Sequence, residues 1–153
     1  MKVLVLSGGG ARGAYQLGCI EELLARGEKF DAIVGTSVGA LNAAGLSYLG
    51  IDHLREVWLK QIKNPDDILK RHWLIEMPWK RGIYSLSPLK ELLKEELGKS
   101  KTGAAIPFWV GVCDLANMSV EFIPHDPNLR VTIQNVLASA SMPVIMDPVD
   151  VTK

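Results

Sequence analysis

The sequence lacks an excess of charge of either sign, because 17 Lys and Arg residues balance 17 Asp and Glu residues. This balance gives no reason to expect a nucleic acid partner or strong attraction to an anionic membrane. Long hydrophobic runs are also absent, since the N-terminal run at Val3 to Leu6 is too short for a signal peptide or a membrane span. We therefore expect a cytoplasmic protein, with any membrane contact being peripheral.

Cysteine is scarce, with Cys19 and Cys113 the two present. Each lies in an apolar stretch, so we expect two buried free thiols in a reducing compartment. No Cys-x-x-Cys pair, neighbouring histidine or carboxylate cluster has the spacing of a metal site. The sequence therefore predicts no disulfide, no metal and no cofactor.

Apolar residues are abundant, at 48% of the 153 residues, which is enough for a buried core. We expect residues 1–153 to form one domain, because this length fits one domain and no repeat or linker is visible. Hydrophobic periodicity in the first fifty residues predicts strands at 3–6 and 30–34 and helices at 14–26 and 39–49. This strand-helix order predicts an α/β fold with a mostly parallel sheet between helices.

The rest of the sequence is predicted to contain both helices and strands. A helix begins near Asp52 and is broken by Pro65, and further elements are a helix at 87–97, strands at 107–113 and 120–123, and a helix at 131–140. The stretch from Lys70 to Arg81 mixes cations with tryptophan. That mixture fits either an interfacial segment that touches a membrane or a cap that packs its tryptophans on the core.

A serine motif stands between the second predicted strand and the helix after it: Gly35-Thr36-Ser37-Val38-Gly39. A serine hydroxyl is a poor nucleophile, so a hydrolase must expose it, deprotonate it and stabilise the resulting oxyanion. In the Gly-x-Ser-x-Gly pattern the serine occupies a strained strand-to-helix turn, and the glycines allow close backbone approach. We predict that Ser37 is a nucleophile; the alternative is a small-residue turn that only packs a helix on the sheet.

A glycine-rich loop lies between the first strand and the first helix: Gly8-Gly9-Gly10-Ala11-Arg12-Gly13. Successive N–H groups at a helix N-terminus favour negative charge. Beside a nucleophilic serine, that charge is the oxyanion of an acyl-transfer intermediate. We predict an oxyanion hole made by the N–H groups of Gly9, Gly10 and Val38. Arg12 either orients a phosphate or the loop itself, or it forms an ion pair or stays solvated.

The same loop also fits the Gly-x-Gly-x-x-Gly pattern of dinucleotide-binding folds, with glycines at positions 8, 10 and 13. A dinucleotide site needs an acidic residue at the end of the next strand. Asp31 lies at the beginning of that strand, where it cannot reach a ribose. A nucleotide site also leaves Ser37 without a role, so this hypothesis explains less of the sequence.

A histidine-based triad is a further alternative, because Ser37, Asp114 and His125 follow the chain order of α/β-hydrolases. However, His125 lies between two prolines in Pro124-His125-Asp126-Pro127, a pattern that is typical of a surface turn. His53 follows a predicted helix cap, and His72 lies in the basic-aromatic stretch. We expect all three histidines to be solvated or structural.

The glycine-rich loop and the serine motif, separated by 21 residues, resemble those of the patatin-like phospholipase family. Both motifs are intact. Val112 to Leu115 looks like the family's central strand, and Ala138 to Pro143 looks like its Ala-Ser-x-x-x-Pro segment. The resemblance implies a three-layer α/β/α fold, hydrolysis of acyl esters of a lipid or phospholipid, no metal requirement, and a Ser-Asp dyad in place of a triad.

The sequence departs from the family pattern at the aspartate of the dyad. The family carries it in Asp-Gly-Gly or Asp-Gly-Ala after the Ala-Ser segment, and this sequence contains no Asp-Gly pair. We therefore expect a domain incomplete at its C-terminus, in which Ser37 lacks its base and catalysis is impaired. The alternatives are an inactive member that binds lipid or a protein partner, or a base supplied by Asp147 or Asp150.

Overall fold

The computed structural model of the protein describes residues 1–72, 82–142, 145–149 and 151. Within these residues it contains six strands, five α-helices, two 3₁₀ turns and one π-helical segment. The strands are β1 (Val3–Leu6), β2 (Ala32–Thr36), β3 (Lys70–Arg71), β4 (Tyr84–Ser85), β5 (Phe108–Asp114) and β6 (Ser119–Pro124). The α-helices are α1 (Gly13–Ala25), α2 (Val38–Leu49), α3 (Ile51–Glu56), α4 (Ser87–Leu97) and α5 (Leu129–Ala140).

Four of the strands form the central sheet, in the order β1-β2-β5-β6, and β3 pairs with β4 in a separate ribbon. Strands β1, β2 and β5 are parallel, whereas β6 is antiparallel to β5. Parallel neighbours need a crossover, and helices provide it here between β1 and β2 and between β2 and β5. The predicted α/β fold with a mostly parallel central sheet is confirmed.

The strand register brings two distant sequence motifs to one edge of the sheet. Leu6 lies opposite Gly35, and Thr36 lies opposite Gly111. The carboxyl ends of β1, β2 and β5 therefore meet at this edge, where open α/β sheets bind their ligands. The glycine-rich loop leaves β1 here, and Ser37 follows β2 here.

The hydrophobic core lies on one face of the sheet, where α2 contacts β1, β2 and β5. The inward strand residues are apolar and no more than 9% exposed: Leu4, Leu6, Ile33, Phe108 and Val110. Alanines of α2 are fully buried, so this helix can approach the sheet closely. On the opposite face, among the residues that the structure describes, Val5, Val120 and Phe122 are more than half exposed.

The helix and strand bounds differ from those predicted by at most two residues, with one exception in the helix expected from Asp52. That helix begins at Ile51 after Gly50, and after Glu56 it continues as the π-helix Val57–Gln61. The β3–β4 ribbon was not predicted, because two-residue strands carry no periodicity. Most of the basic-aromatic stretch, residues 73–81, lies outside the described residues.

The prediction that both cysteines are buried is wrong, because Cys19 and Cys113 are free and exposed. Cys19 is two residues after buried Leu17 on α1, which turns it to the solvent side of the helix. Cys113 follows buried Val112 in β5, and successive strand residues point to opposite faces. Apolar neighbours in sequence do not determine which face a cysteine occupies.

Candidate active site

Ser37 forms the turn between β2 and α2, with a strand before it and a helix after it. Its backbone has φ 56° and ψ −124°, a conformation that residues with a Cβ rarely adopt. Among the described non-glycine residues, Met118 alone shares a positive φ. A strained serine between a strand and a helix is the geometry of a nucleophile elbow.

Both elbow glycines are required by close backbone packing. A Cβ on Gly35 would overlap the carbonyl group of Gly39, and a Cβ on Gly39 would overlap the carbonyl oxygen of Leu6. The first turn of α2 thus lies directly against β1 and β2. Because those neighbours are backbone atoms of the sheet and helix, they cannot rotate away as a side chain would. The Gly-x-Ser-x-Gly pattern therefore has a steric cause in this fold.

The backbone N–H of Ser37 is held by Ser139 of α5. It donates to Ser139 Oγ over 2.8 Å, and the Ser139 hydroxyl donates to the carbonyl oxygen of Gly111 over 2.5 Å. One hydroxyl thus connects the elbow with α5 and β5. Because the Ser37 N–H is occupied, it is not available to an oxyanion. Val38 begins α2, so its N–H has no acceptor within the helix and is suited to that role.

The glycine-rich loop lies against the side chain of Ser37. A Cβ on Gly8 would lie 3.3 Å from Ser37 Cβ and 3.9 Å from its Oγ. Gly10 has φ 54°, in the left-handed region that favours glycine. A 3₁₀ turn follows at Gly10–Arg12, and the Arg12 N–H donates to the carbonyl oxygen of Gly9 over 3.1 Å. The fold therefore brings together the two motifs that were singled out in the sequence.

Residues 8–12 of this loop, Ala11 among them, are exposed, but Gly13 is buried. A Cβ on Gly13 would overlap the side chain of Val38 and lie 2.8 Å from the Trp58 ring. The stem of Arg12 packs beside Gly9, and its guanidinium has no ion pair or hydrogen bond within the described residues. Among the described residues, Arg12 therefore has no ion-pair partner, in agreement with a solvated side chain.

The hydroxyl of Ser37 has no hydrogen-bonded base in the part of the chain that the structure describes. Asp114 accepts hydrogen bonds from the N–H groups of Ala116 and Asn117 in the turn after β5. His125 lies at the other end of β5, where its ring stacks on Phe108 with centroids 4.9 Å apart. Six strand residues separate the two ends by about 20 Å. The Ser37–Asp114–His125 triad is therefore excluded.

Asp147, the alternative base, is engaged elsewhere. Its Oδ2 lies 2.9 Å from His72 Nε2, and its Oδ1 accepts a hydrogen bond from the Gly82 N–H over 3.0 Å. Asp150 lies outside the described residues. His53 is also structural, since its Nε2 lies 2.6 Å from the buried carboxylate of Glu96. The expectation of structural roles is thus confirmed for both of these histidines.

The dinucleotide hypothesis fails on the position of Asp31. This residue precedes β2 and accepts a hydrogen bond from the Lys2 N–H over 2.6 Å. The glycine-rich loop follows the carboxyl end of β1, which is parallel to β2, whereas Asp31 precedes the amino end of β2. The loop and Asp31 therefore lie at opposite ends of these strands. Asp31 therefore cannot contact a ligand held by the loop.

Over the described ranges, no three His, Cys, Asp or Glu side chains are grouped so as to hold a metal ion. In the same residues, no helix has both the length and the apolar character needed to cross a membrane.

Sequence reasoning named the residues of both motifs but missed those that hold them in place. Ser139 lies in the Ala138 to Pro143 segment, and its position there predicts no hydrogen-bond partner. Asn42, buried in α2 beside the loop, was not named at all. A signal was present, because an amide inside a helix of small apolar residues predicts a specific hydrogen-bond partner. The partner itself could not be read from the sequence.

Comparison with protein families gives one match that covers nearly the whole chain. The family model described as patatin-like phospholipase matches residues 4–153. The chain belongs to this family. The residues matched include both the glycine-rich loop and the elbow.

Curated relatives of this patatin-like chain are longer proteins. A cGAMP-activated phospholipase of Escherichia coli (strain TW11681) is 34% identical, over 67% of this chain and 32% of the relative. Calcium-independent phospholipase A2-gamma is 29% identical in Oryctolagus cuniculus and 26% in Homo sapiens, over 65% of this chain and 14% of each relative. The chain thus spans about a third of the bacterial relative and about a seventh of the mammalian ones.

Proposed function

We propose that the chain carries the nucleophile and oxyanion donors of a serine hydrolase that cleaves carboxylic esters of a phospholipid or lysophospholipid. The observation that supports this most directly is the position of Gly8 beside the strained Ser37, where a Cβ on Gly8 would lie 3.3 Å from Ser37 Cβ. A nucleophile and a row of backbone N–H groups beside it can act on the same carbonyl group.

The proposed reaction begins when Ser37 Oγ attacks the ester carbonyl carbon and its proton passes to water, which returns a proton to the departing alkoxide. The tetrahedral oxyanion accepts hydrogen bonds from the N–H groups of Gly9, Gly10 and Val38. Its collapse breaks the ester C–O bond, releases the alcohol and leaves an acyl-enzyme, which water hydrolyses. Removal of one oxyanion donor typically costs about 3 kcal/mol of transition-state stabilisation.

The proton acceptor of the family dyad is an aspartate, and we propose that this chain does not supply it; the alternative base is Asp150, which lies outside the described residues. The sequence contains no Asp-Gly pair, and Asp114 and Asp147 hold other groups. A site with oxyanion donors but no base retains residual catalysis, well below that of a complete site. The alternative is an inactive family member that binds lipid or a protein partner, and the lack of a base hydrogen-bonded to Ser37 among the described residues favours it.

Hydrolysis of p-nitrophenyl butyrate and labelling by a fluorophosphonate test the proposal. We expect slow hydrolysis and labelling at Ser37, and the loss of both in Ser37→Ala. Ser100→Ala is the matched control, because the Ser100 hydroxyl bonds Gly103 in a separate loop. Rates that are equal in the wild type and Ser37→Ala, with no label, would favour the inactive binding protein. A loss of rate in EDTA that calcium restores would contradict the metal-free mechanism.

A further inference from the structure

A set of side-chain hydrogen bonds links both ends of the glycine-rich loop to the helix that follows Ser37. At its centre is Asn42, fully buried on α2. The Asn42 Nδ2 group donates to the carbonyl oxygen of Gly13 over 3.0 Å and to Gln16 Oε1 over 3.1 Å. Its Oδ1 accepts from the Trp58 indole N–H over 2.8 Å. Gln16 in turn donates from Nε2 to the carbonyl oxygen of Ser7 over 2.6 Å.

The chemistry of the groups at the two ends determines the direction of every bond in this set. An indole N–H only donates, so the Asn42 atom that faces Trp58 must be the oxygen. The Asn42 amide nitrogen therefore faces Gly13 and Gln16. Gln16 must then present its own oxygen to Asn42, which leaves its nitrogen for the backbone carbonyl, a group that only accepts. The hydrogen bonds from Trp58 to Asn42, from Asn42 to Gln16 and from Gln16 to Ser7 form a continuous chain. In such a chain each bond polarises the next and strengthens it.

The two backbone carbonyls held in this way bracket the loop, one at Ser7 and one at Gly13. A peptide unit is planar and trans, so a Ser7 carbonyl directed at Gln16 turns the N–H of Gly8 in the opposite direction. The hydrogen bonds to the Ser7 and Gly13 carbonyl oxygens also fix the positions of the two ends of the loop. Between these ends residues 8–12 are exposed and bury no side chain, and a hydrogen bond described within them runs from the Arg12 N–H to the Gly9 carbonyl oxygen in the 3₁₀ turn.

We propose that Trp58, Asn42 and Gln16 are positioning residues, which hold the N–H groups of the glycine-rich loop in the orientation that binds the oxyanion. This inference rests on the proposed function. None of the three needs to touch the reacting atoms, since they act through the backbone at Ser7 and Gly13. Trp58 belongs to the π-helix Val57–Gln61, and π-helical turns are frequent at functional sites.

Two variants of the full chain test the proposal. Trp58→Phe removes the indole N–H while keeping an aromatic ring beside Gly13, and Asn42→Ala removes the centre of the set. Ser47→Ala is the matched control, because Ser47 is equally buried on α2 but bonds the backbone of Ile106, away from the loop. Hydrolysis of p-nitrophenyl butyrate is measured together with backbone ¹⁵N order parameters at Gly8 to Gly10.

We expect Trp58→Phe to lower kcat about tenfold, less than the loss of a complete oxyanion donor, with KM nearly unchanged. We also expect order parameters at Gly8 to Gly10 to fall from near 0.85 toward 0.6 in Asn42→Ala but not in Ser47→Ala. A kcat in Trp58→Phe equal to that of Ser47→Ala would overturn the proposal. If the wild type shows no Ser37-dependent hydrolysis, the proposed function fails, and the order parameters alone decide this inference: unchanged values in Asn42→Ala overturn it.

Discussion

The two halves of the candidate site are held in place by different means. The elbow is fixed by backbone contacts, with Gly35 and Gly39 pressed against their neighbours and the Ser37 N–H bonded to Ser139. The glycine-rich loop is exposed between its ends, and among the described residues the side-chain hydrogen bonds that hold it are those to the carbonyl oxygens of Ser7 and Gly13. A strained backbone at Ser37 needs surroundings that prevent its relaxation, whereas in the proposed mechanism the loop needs only the correct orientation of its N–H groups.

The difference teaches that glycine serves two purposes within one site. In the elbow it removes a side chain that the packed backbone cannot accommodate. In the loop, Gly10 supplies a left-handed conformation in open space, with no atom within 4 Å of a Cβ built there. Substitutions of the elbow glycines should therefore disturb packing, and substitution of Gly10 should cost only local backbone energy.

Gly35→Ala is expected to have the largest effect. Its Cβ would overlap the Gly39 carbonyl group, so the start of α2 must shift away from the sheet. We expect a loss of about 3 kcal/mol or more of folding free energy. Gly10→Ala should cost only about 1–2 kcal/mol, because it places a Cβ at φ 54° without a clash. Urea unfolding measures both, and equal losses would remove the distinction between elbow and loop.

Acid should weaken the support of the loop. Glu96 accepts hydrogen bonds from Lys99, Gln61 and His53, and Gln61 belongs to the π-helix that carries Trp58. Burial by itself would raise the pKa of Glu96, but these hydrogen bonds outweigh burial and lower the pKa to about 2. A lowered pKa means that the stabilisation is complete above pH 4.5 and is lost as the pH falls through 2.

We expect this carboxylate to contribute roughly 3 kcal/mol near pH 6. Glu96→Gln should be less stable than the wild type by about that amount at pH 6, and the two stability curves should converge toward pH 2. Urea unfolding across this range provides the measurement. The exposed neighbour Glu95 supplies the control, Glu95→Gln, whose curve should follow that of the wild type. Parallel stability curves for the wild type and Glu96→Gln would show that ionisation of Glu96 does not contribute to the pH dependence of folding stability.

Ser139→Ala should have an intermediate effect. It leaves the Ser37 N–H and the Gly111 carbonyl without their partner, at a cost of about 1–3 kcal/mol. The rate of ester hydrolysis should fall by more than the loss of folded protein accounts for, because the elbow loses the Ser139 hydroxyl that orients the Ser37 N–H. Ser141→Ala is the control, since its hydroxyl bonds the Asp147 carbonyl outside the elbow. Similar hydrolysis by the two variants would mean that Ser139 acts only on stability.

Replacing Ser37 itself should have the smallest effect on stability and should reveal the strain at this position. Both Ser37→Gly and Ser37→Ala lack the Ser37 hydroxyl, but glycine adopts φ 56° without penalty. We expect Ser37→Gly to be about 1 kcal/mol more stable than Ser37→Ala. Thermal unfolding compares the two variants. If Ser37→Ala is the more stable of the two, the elbow stores no strain.

Local patterns in the sequence predicted much of the fold and the place of Ser37. The 3.6-residue and two-residue periodicities and the glycine motifs lie within short windows, so α1, α2 and the central strands were located within two residues. The cysteines were misassigned because burial depends on which face of an element points inward. The role of Asp147 was also hidden, since its contact with His72 spans 75 residues.

The sequence alone determined that a nucleophile motif follows a strand and that a glycine-rich loop follows another, because each depends on neighbouring residues. Tertiary structure decided that the loop and the elbow touch, since strand order and register place Leu6 beside Gly35. It also decided that Ser139, 102 residues away, holds the Ser37 N–H. Hydrogen bonds between distant residues depend on distances of about 3 Å, which only the packed fold specifies.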